Sequence, residues 1–179
     1  SKHNILCCGY QSAVFLKMQH SINRNLKNKY NPNYILYTSK YSLLKSSKNI
    51  SSKKIVIGSN KLKFLKNFTL DLQKIKNNIL ILPEGLLHEC LIMIKFALLY
   101  NYKFNNSKFI IRLHPLINID EIKKKLKISY FPENIKISSN SNIKEDLKLA
   151  NYALYRGSSS IIEAGSVGLI PLYLNLNNQ

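Results

Sequence analysis

Short apolar runs recur along this chain, and the gaps between them carry helix-like patterns; this alternation constrains the fold more than any other feature. A run too short for a buried helix, then a segment with apolar residues three and four apart, then another run, is the pattern of parallel strands joined by crossover helices. The runs predict strands over 4–8, 34–37, 54–57, 78–82, 108–113, 134–137, 152–155 and 170–174. Helices are predicted over 12–28, 39–46, 61–76, 86–100, 119–127, 143–150 and 159–165. The expected fold class is α/β, a doubly wound and mostly parallel sheet with helices on both faces. Gly9, Gly58, Gly85 and Gly157 each follow an apolar run and mark strand exits. In open sheets of this kind ligands bind outside the carboxyl ends of the strands, so these exits should share one rim.

With 179 residues, 45% of them hydrophobic, the chain can bury a real core and suits one domain or two small lobes. Composition shifts where the polar Gln73-Lys74-Ile75-Lys76-Asn77-Asn78 meets Ile79-Leu80-Ile81-Leu82. We therefore expect an amino-terminal α/β lobe over 1–76 and a carboxyl-terminal lobe over 77–179. The chain opens on Ser1 and stops at Gln179 shortly after an apolar run, so the first lobe is expected to be partial and the second truncated at its end.

The net charge of +18 would suit nucleic acid or an anionic membrane. The lysines, however, are spread from Lys2 to Lys148 instead of forming a patch, which disfavours a nucleic-acid partner and leaves a basic, non-enzymatic binding protein as the competing class. Cys7, Cys8 and Cys90 form neither a disulfide framework nor a metal pair, so a reduced, cytoplasmic setting is expected. His88-Glu89-Cys90-Leu91-Ile92 begins like a zinc-binding H-E-x-x-H but has Ile92 in place of the second histidine, and no metal site is expected. The longest apolar stretch, 86–100, carries His88, Glu89 and Lys95, falls short of the ~20 residues that span a bilayer, and reads as a buried helix.

Three rim segments carry chemistry. In Tyr155-Arg156-Gly157-Ser158-Ser159-Ser160 an apolar run passes through glycine and three hydroxyls into a helix, and free N–H groups at a helix start favour an anion. The alternative is structural: Ser160 as N-cap, with Glu163 closing a capping box. Arg112-Leu113-His114-Pro115 follows another run; its alternation predicts that Arg112 and His114 share a face. Arg112 and Arg156 are two of only three arginines, and their planar forks suit phosphate. Pro83-Glu84-Gly85 follows a third run, with His88 one turn further; imidazoles titrate near neutral pH, which makes His88 a rival base to Glu84.

In order along the chain, these acidic-Gly, His-Pro and Ser-Ser motifs resemble the donor-binding lobe of bacterial glycosyltransferases of the GT-B type, in particular the sialyltransferase and polysialyltransferase group; the capsule and teichoic-acid glycerophosphotransferases are similar. The resemblance covers roughly 79–174. It implies a Rossmann-like lobe in which His114 and Pro115 contact the phosphate of a cytidine nucleotide, Ser158 and Ser159 bind the same phosphate, Glu84 deprotonates the acceptor hydroxyl, and Glu163 holds the nucleotide ribose. The chain departs from the group in having Pro83 where a second acid is usual. The implied activity is metal-independent transfer of a sugar from a nucleotide donor, CMP-linked, to a surface polysaccharide or glycolipid. No separate cofactor is implied. Transfer from a CDP-alditol is the nearest alternative. A lipid-linked acceptor would place the protein in the cytoplasm, peripheral on the inner face of the membrane, where lysines meet anionic lipid.

Overall fold

A computed structural model of the chain describes residues 5–11, 24–27, 30–46, 48–60, 68, 77–103 and 107–176. The chain divides into two compact units, Ser1–Lys63 and Phe64–Gln179.

The first unit is a three-stranded parallel sheet of β1 (Cys8–Gln11), β2 (Tyr34–Tyr37) and β3 (Lys53–Val56), in the order β1-β2-β3. Helix α1 (Lys40–Leu44) joins β2 to β3, and the hydroxyl of Ser39 caps it by accepting from Ser42 N. Its small core is Ile35, Tyr37 and Ile50 with Leu43 against them. One expectation fails here, and a second is tested only at its end. The first strand is not at 4–8, because a strand extends only as far as its partner: β2 begins at Tyr34, which pairs with Cys8, so Ile5 and Leu6 lie exposed outside the ladder and Gly9 falls inside the strand. Of the helix expected over 12–28, residues 12–23 and 28 lie outside the described residues, while 24–27 are not helical. There Asn side chains take the backbone's hydrogen bonds: Asn31 Oδ1 accepts from Leu26 N, Asn25 Oδ1 from Lys27 N, and Lys27 turns left-handed at φ 68.

The second unit contains β4 (Ile79–Leu82), β5 (Phe109–Ile111), β6 (Ile135–Ile137), β7 (Tyr152–Tyr155) and β8 (Ile170–Tyr173) in one parallel sheet ordered β6-β5-β4-β7-β8. Its helices are α2 (Leu87–Tyr100), α3 (Ile119–Leu126), α4 (Ile143–Leu147) and α5 (Ser160–Ser166). The helix expected over 61–76 lies outside the described residues apart from Phe68, which packs on the sheet.

All four residues of β4 are buried, and the strand's two-residue period divides them between two cores. Ile79 and Ile81 pack with Cys90, Met93, Ile94 and Ala97 of α2 and Ile122 of α3; Leu80 and Leu82 pack with Leu147 of α4, Ala150, and Ala164 of α5. Each Ile, Leu and Met among them contributes about 1.5 to 3 kcal/mol by leaving water. The unit is thus doubly wound. The chain starts at the centre and builds outward through α2 and α3 to β6. It then returns through α4 to the other side of β4 and builds outward again through α5 to β8. The carboxyl ends of β4 and β7 are therefore where the connections leave in opposite directions, which is the place where open α/β sheets bind ligands.

Candidate active site

Because β5 and β7 are the two neighbours of β4, the exits of these three strands stand side by side on one rim. Leu82 pairs with Tyr155 and Ile81 with Ile111, so the loops beginning at Pro83, Arg112 and Arg156 leave the sheet at the same level. The three motifs are thereby brought together, and the middle one touches both others. The carboxylate of Glu84 lies so close over Gly157 that a methyl group on that glycine would overlap Oε1. The imidazole of His114 lies over Gly85, where a Cβ would stand 3.1 Å from Nδ1 and 3.2 Å from Cε1.

Each side chain has local reasons for its posture. Ile117 N donates to the His114 carbonyl at 2.9 Å, closing a turn with Pro115 in its second position, where a fixed φ is favourable. Within that turn Leu116 N donates to His114 Nδ1 at 3.3 Å, which makes Nδ1 the acceptor and leaves the exposed ring with Nε2 as its N–H. Pro115 itself is exposed. Glu84 is half-buried, and among the described residues its carboxylate takes no hydrogen bond or ion pair. His88 lies exposed in the first turn of α2, and no hydrogen bond joins it to Glu84 or His114.

The serine turn differs from a capping box. Ser159, in αR conformation, is the N-cap and makes no side-chain cap bond; Ser160 is already helical, and its N–H donates to Ser158 Oγ at 3.4 Å. With the cap one residue earlier than the capping-box reading places it, Glu163 is four residues beyond the cap instead of three, and it stands half-buried inside α5. The Ser159 hydroxyl faces solvent without that duty.

Both arginines are engaged by carboxylates. Arg156 donates through Nε to Glu89 Oε2 at 2.5 Å and through Nη1 to the Leu174 carbonyl at 3.1 Å, tying the β7 exit to α2 and to the β8 exit. Arg112 donates through Nη1 to Asp146 Oδ2 at 2.6 Å and to the Asn140 carbonyl at 2.9 Å, and through Nη2 to Ser141 O at 3.3 Å. Asp146 is 0% exposed, and its Oδ1 accepts from Ser138 Oγ at 2.6 Å and Asn140 Nδ2 at 2.7 Å. A carboxylate taken out of water needs such donors. The alternation expected to give Arg112 and His114 a common face does not apply, because β5 ends at Ile111: Arg112 turns to α4, and His114 to the β4 exit. Asp146 went unmarked in the sequence, and Glu89 stands out there only in the incomplete zinc-like motif and as a charge of the 86–100 stretch, not as a partner of Arg156; the one signal for Asp146 is an acid set beside the apolar Ile143 and Leu147.

Cys90 secures the loop from below. Its buried thiol donates to the Glu84 carbonyl at 3.4 Å, and burial first, then the charges of Glu89 and Glu84, push its pKa from 9.0 up to about 11. The folded state thus favours the neutral thiol. That stabilisation is full below pH 9.0 and is lost as pH rises towards about 11, and a two-unit shift corresponds to about 2 to 3 kcal/mol. At pH 8, site-resolved alkylation should modify the exposed Cys7 and Cys8 and spare Cys90 until the protein is unfolded. Modification of Cys90 at the rate of the other two would contradict this environment.

Among the described residues, no group of three or more His, Cys, Asp and Glu side chains gathers at one point, and no helix is long and apolar enough to cross a membrane. No family model matches the chain, and a search of curated proteins finds no match. Among solved structures it is similar to one described as "Crystal structure of GtfA/B complex", with a TM-score of 0.52 at 9% identity, over 84% of this chain and 32% of that one. The chain thus spans about a third of the length of the structure it matches. At this identity the likeness is one of fold: a Rossmann-like α/β arrangement of parallel sheets.

Proposed function

We propose that the chain belongs to a glycosyltransferase and that its Phe64–Gln179 unit binds the nucleotide-sugar donor at the crevice between β4 and β7. The observation that carries this reading is the contact of Glu84 with Gly157 and of His114 with Gly85 at the reversal point of the sheet. A carboxylate without a partner among the described residues, an imidazole N–H and a hydroxyl-bearing turn on one rim are what a sugar transfer uses.

In the proposed step the Glu84 carboxylate takes the proton of an acceptor hydroxyl as that oxygen bonds to the anomeric carbon. The bond from the anomeric carbon to the donor phosphate breaks, and its electron pair leaves with the phosphate. His114 Nε2–H, with the hydroxyls of Ser158 and Ser159, stabilises the charge gathering there. These donors can hold a phosphate without a cation. Pro115 sets the turn that presents His114, Gly157 admits the close approach, and Glu163 is assigned to the ribose. Arg112 and Arg156 are assigned a supporting role, since their carboxylate partners already neutralise them.

The resemblance supports a CMP-linked sugar as donor and a surface polysaccharide or lipid-linked glycan as acceptor, with the protein in the cytoplasm and its lysines against the inner leaflet. Titration calorimetry of the intact protein with CMP, CDP, UDP and ADP tests this. CMP is expected to bind with or without excess EDTA, to weaken on His114→Ala, and to show little salt dependence. Failure of every nucleotide to bind would overturn the proposal. Binding of polyanions instead, with affinity that falls steeply with salt and survives His114→Ala, would favour the basic binding protein. Product analysis distinguishes sugar transfer from transfer of an alditol phosphate.

A further inference from the structure

We infer that Gly157 and Gly85 are positioning residues, each serving as the seat for a reactive side chain of a neighbouring loop: Gly157 for the Glu84 carboxylate, and Gly85 for the His114 imidazole. The inference rests on the roles proposed above for Glu84 and His114.

Backbone freedom does not explain these glycines. Among the described residues the glycines at positive φ are Gly58 and Gly168, so the conformations at 85 and 157 are open to other residues. Space explains them. A Cβ at Gly9 would meet only ordinary contacts, the nearest at 3.5 Å, and one at Gly165 would meet nothing within 4 Å. At Gly85 and Gly157 the obstructing atoms are those of His114 and Glu84. The two seats differ in severity. At 85 the ring would have to give by a few tenths of an ångström, whereas at 157 the carboxylate would have to leave. Because the obstruction at 157 is the far end of a flexible side chain, the fold can absorb a methyl group there while the base is displaced.

The interlock has a mechanical result. Glu84, on the β4 exit, rests on the first glycine of the loop that carries the serines. His114, on the β5 exit, rests on the glycine next to Glu84. The base, the phosphate-facing imidazole and the hydroxyl turn are thus set at fixed separations without any hydrogen bond between them.

The test is a cycle of Gly157→Ala, Glu84→Asp and the double variant in the intact protein, with Gly165→Ala as control. Gly157→Ala should lower kcat by about 10²-fold or more, the scale of an ångström's misplacement of a reacting group. Because Gly157 also admits the close approach of the donor phosphate, the variant's KM for the donor should rise as well and stay raised in the double variant, so the part of kcat that Glu84→Asp restores reads the seat. Shortening the acid relieves the overlap, so the double variant should regain about tenfold over Gly157→Ala, and Gly165→Ala should behave as wild type. Unchanged kcat in Gly157→Ala, or a loss that Glu84→Asp does not relieve, overturns the inference. A second readout needs no turnover: the Glu84 side-chain carboxyl carbon resonance should move on Gly157→Ala and stay on Gly165→Ala. If it does not move, the seat is absent whatever the enzyme does. If it moves in a protein that transfers no sugar, the seat stands and the transferase reading falls.

Discussion

Asp146→Ala should destabilise the Phe64–Gln179 unit by about 3 kcal/mol, and up to about 5, which is the range for removing one partner of a buried ion pair. The variant strands the Arg112 guanidinium and removes the acceptor of two neutral donors, Ser138 Oγ and Asn140 Nδ2. The Arg112 side chain is 23% exposed, so water can partly resolvate it and the loss should lie toward the lower figure. Asp146→Asn, which keeps the shape and can still accept, should lose less. Urea unfolding followed by circular dichroism measures both. A loss below about 1 kcal/mol for the alanine variant would mean that Asp146 does not tie the exits of β5 and β6 together.

Glu84→Gln should lower kcat by about 10²- to 10⁴-fold, the usual contribution of a positioned general base, with the donor dissociation constant changed little. The amide is nearly isosteric and can occupy the same place over Gly157, so the variant removes proton affinity without moving the loop. His88→Gln should have a far smaller effect, because that imidazole stands in solvent and, among the described residues, makes no hydrogen bond to Glu84 or His114. Stopped-time assays of sugar transfer across pH, with both variants side by side, decide between the two bases. A Glu84→Gln enzyme within tenfold of wild type would remove Glu84 from the base role.

The difference between what the sequence reveals and what only the fold reveals follows from the range of each interaction. Ile79-Leu80-Ile81-Leu82 declares a strand buried on both faces by itself, and the runs at 34–37 and 152–155 coincide with β2 and β7 residue for residue. Where a boundary depends on a partner, as at β1, hydropathy overshoots to Ile5 and Leu6 because nothing local says that β2 begins at Tyr34. The rim motifs could be named because every strand of a parallel sheet ends on the same side. That Glu84 lies between the other two loops depended on the order β5-β4-β7, which periodicity does not carry. The arginines show the same limit. Their partners lie 34 and 67 residues away, so guanidinium chemistry alone pointed to phosphate where the folded chain supplies Asp146 and Glu89.

The chain crosses between the two halves of the larger sheet only once along its course, through α4, and the proposed donor site lies along the seam where those halves meet. A molecule lodged there would stitch one half to the other, so saturation and resistance to unfolding become a single coupled quantity: at a hundredfold excess over its dissociation constant, a ligand of the native state alone adds about 2.7 kcal/mol.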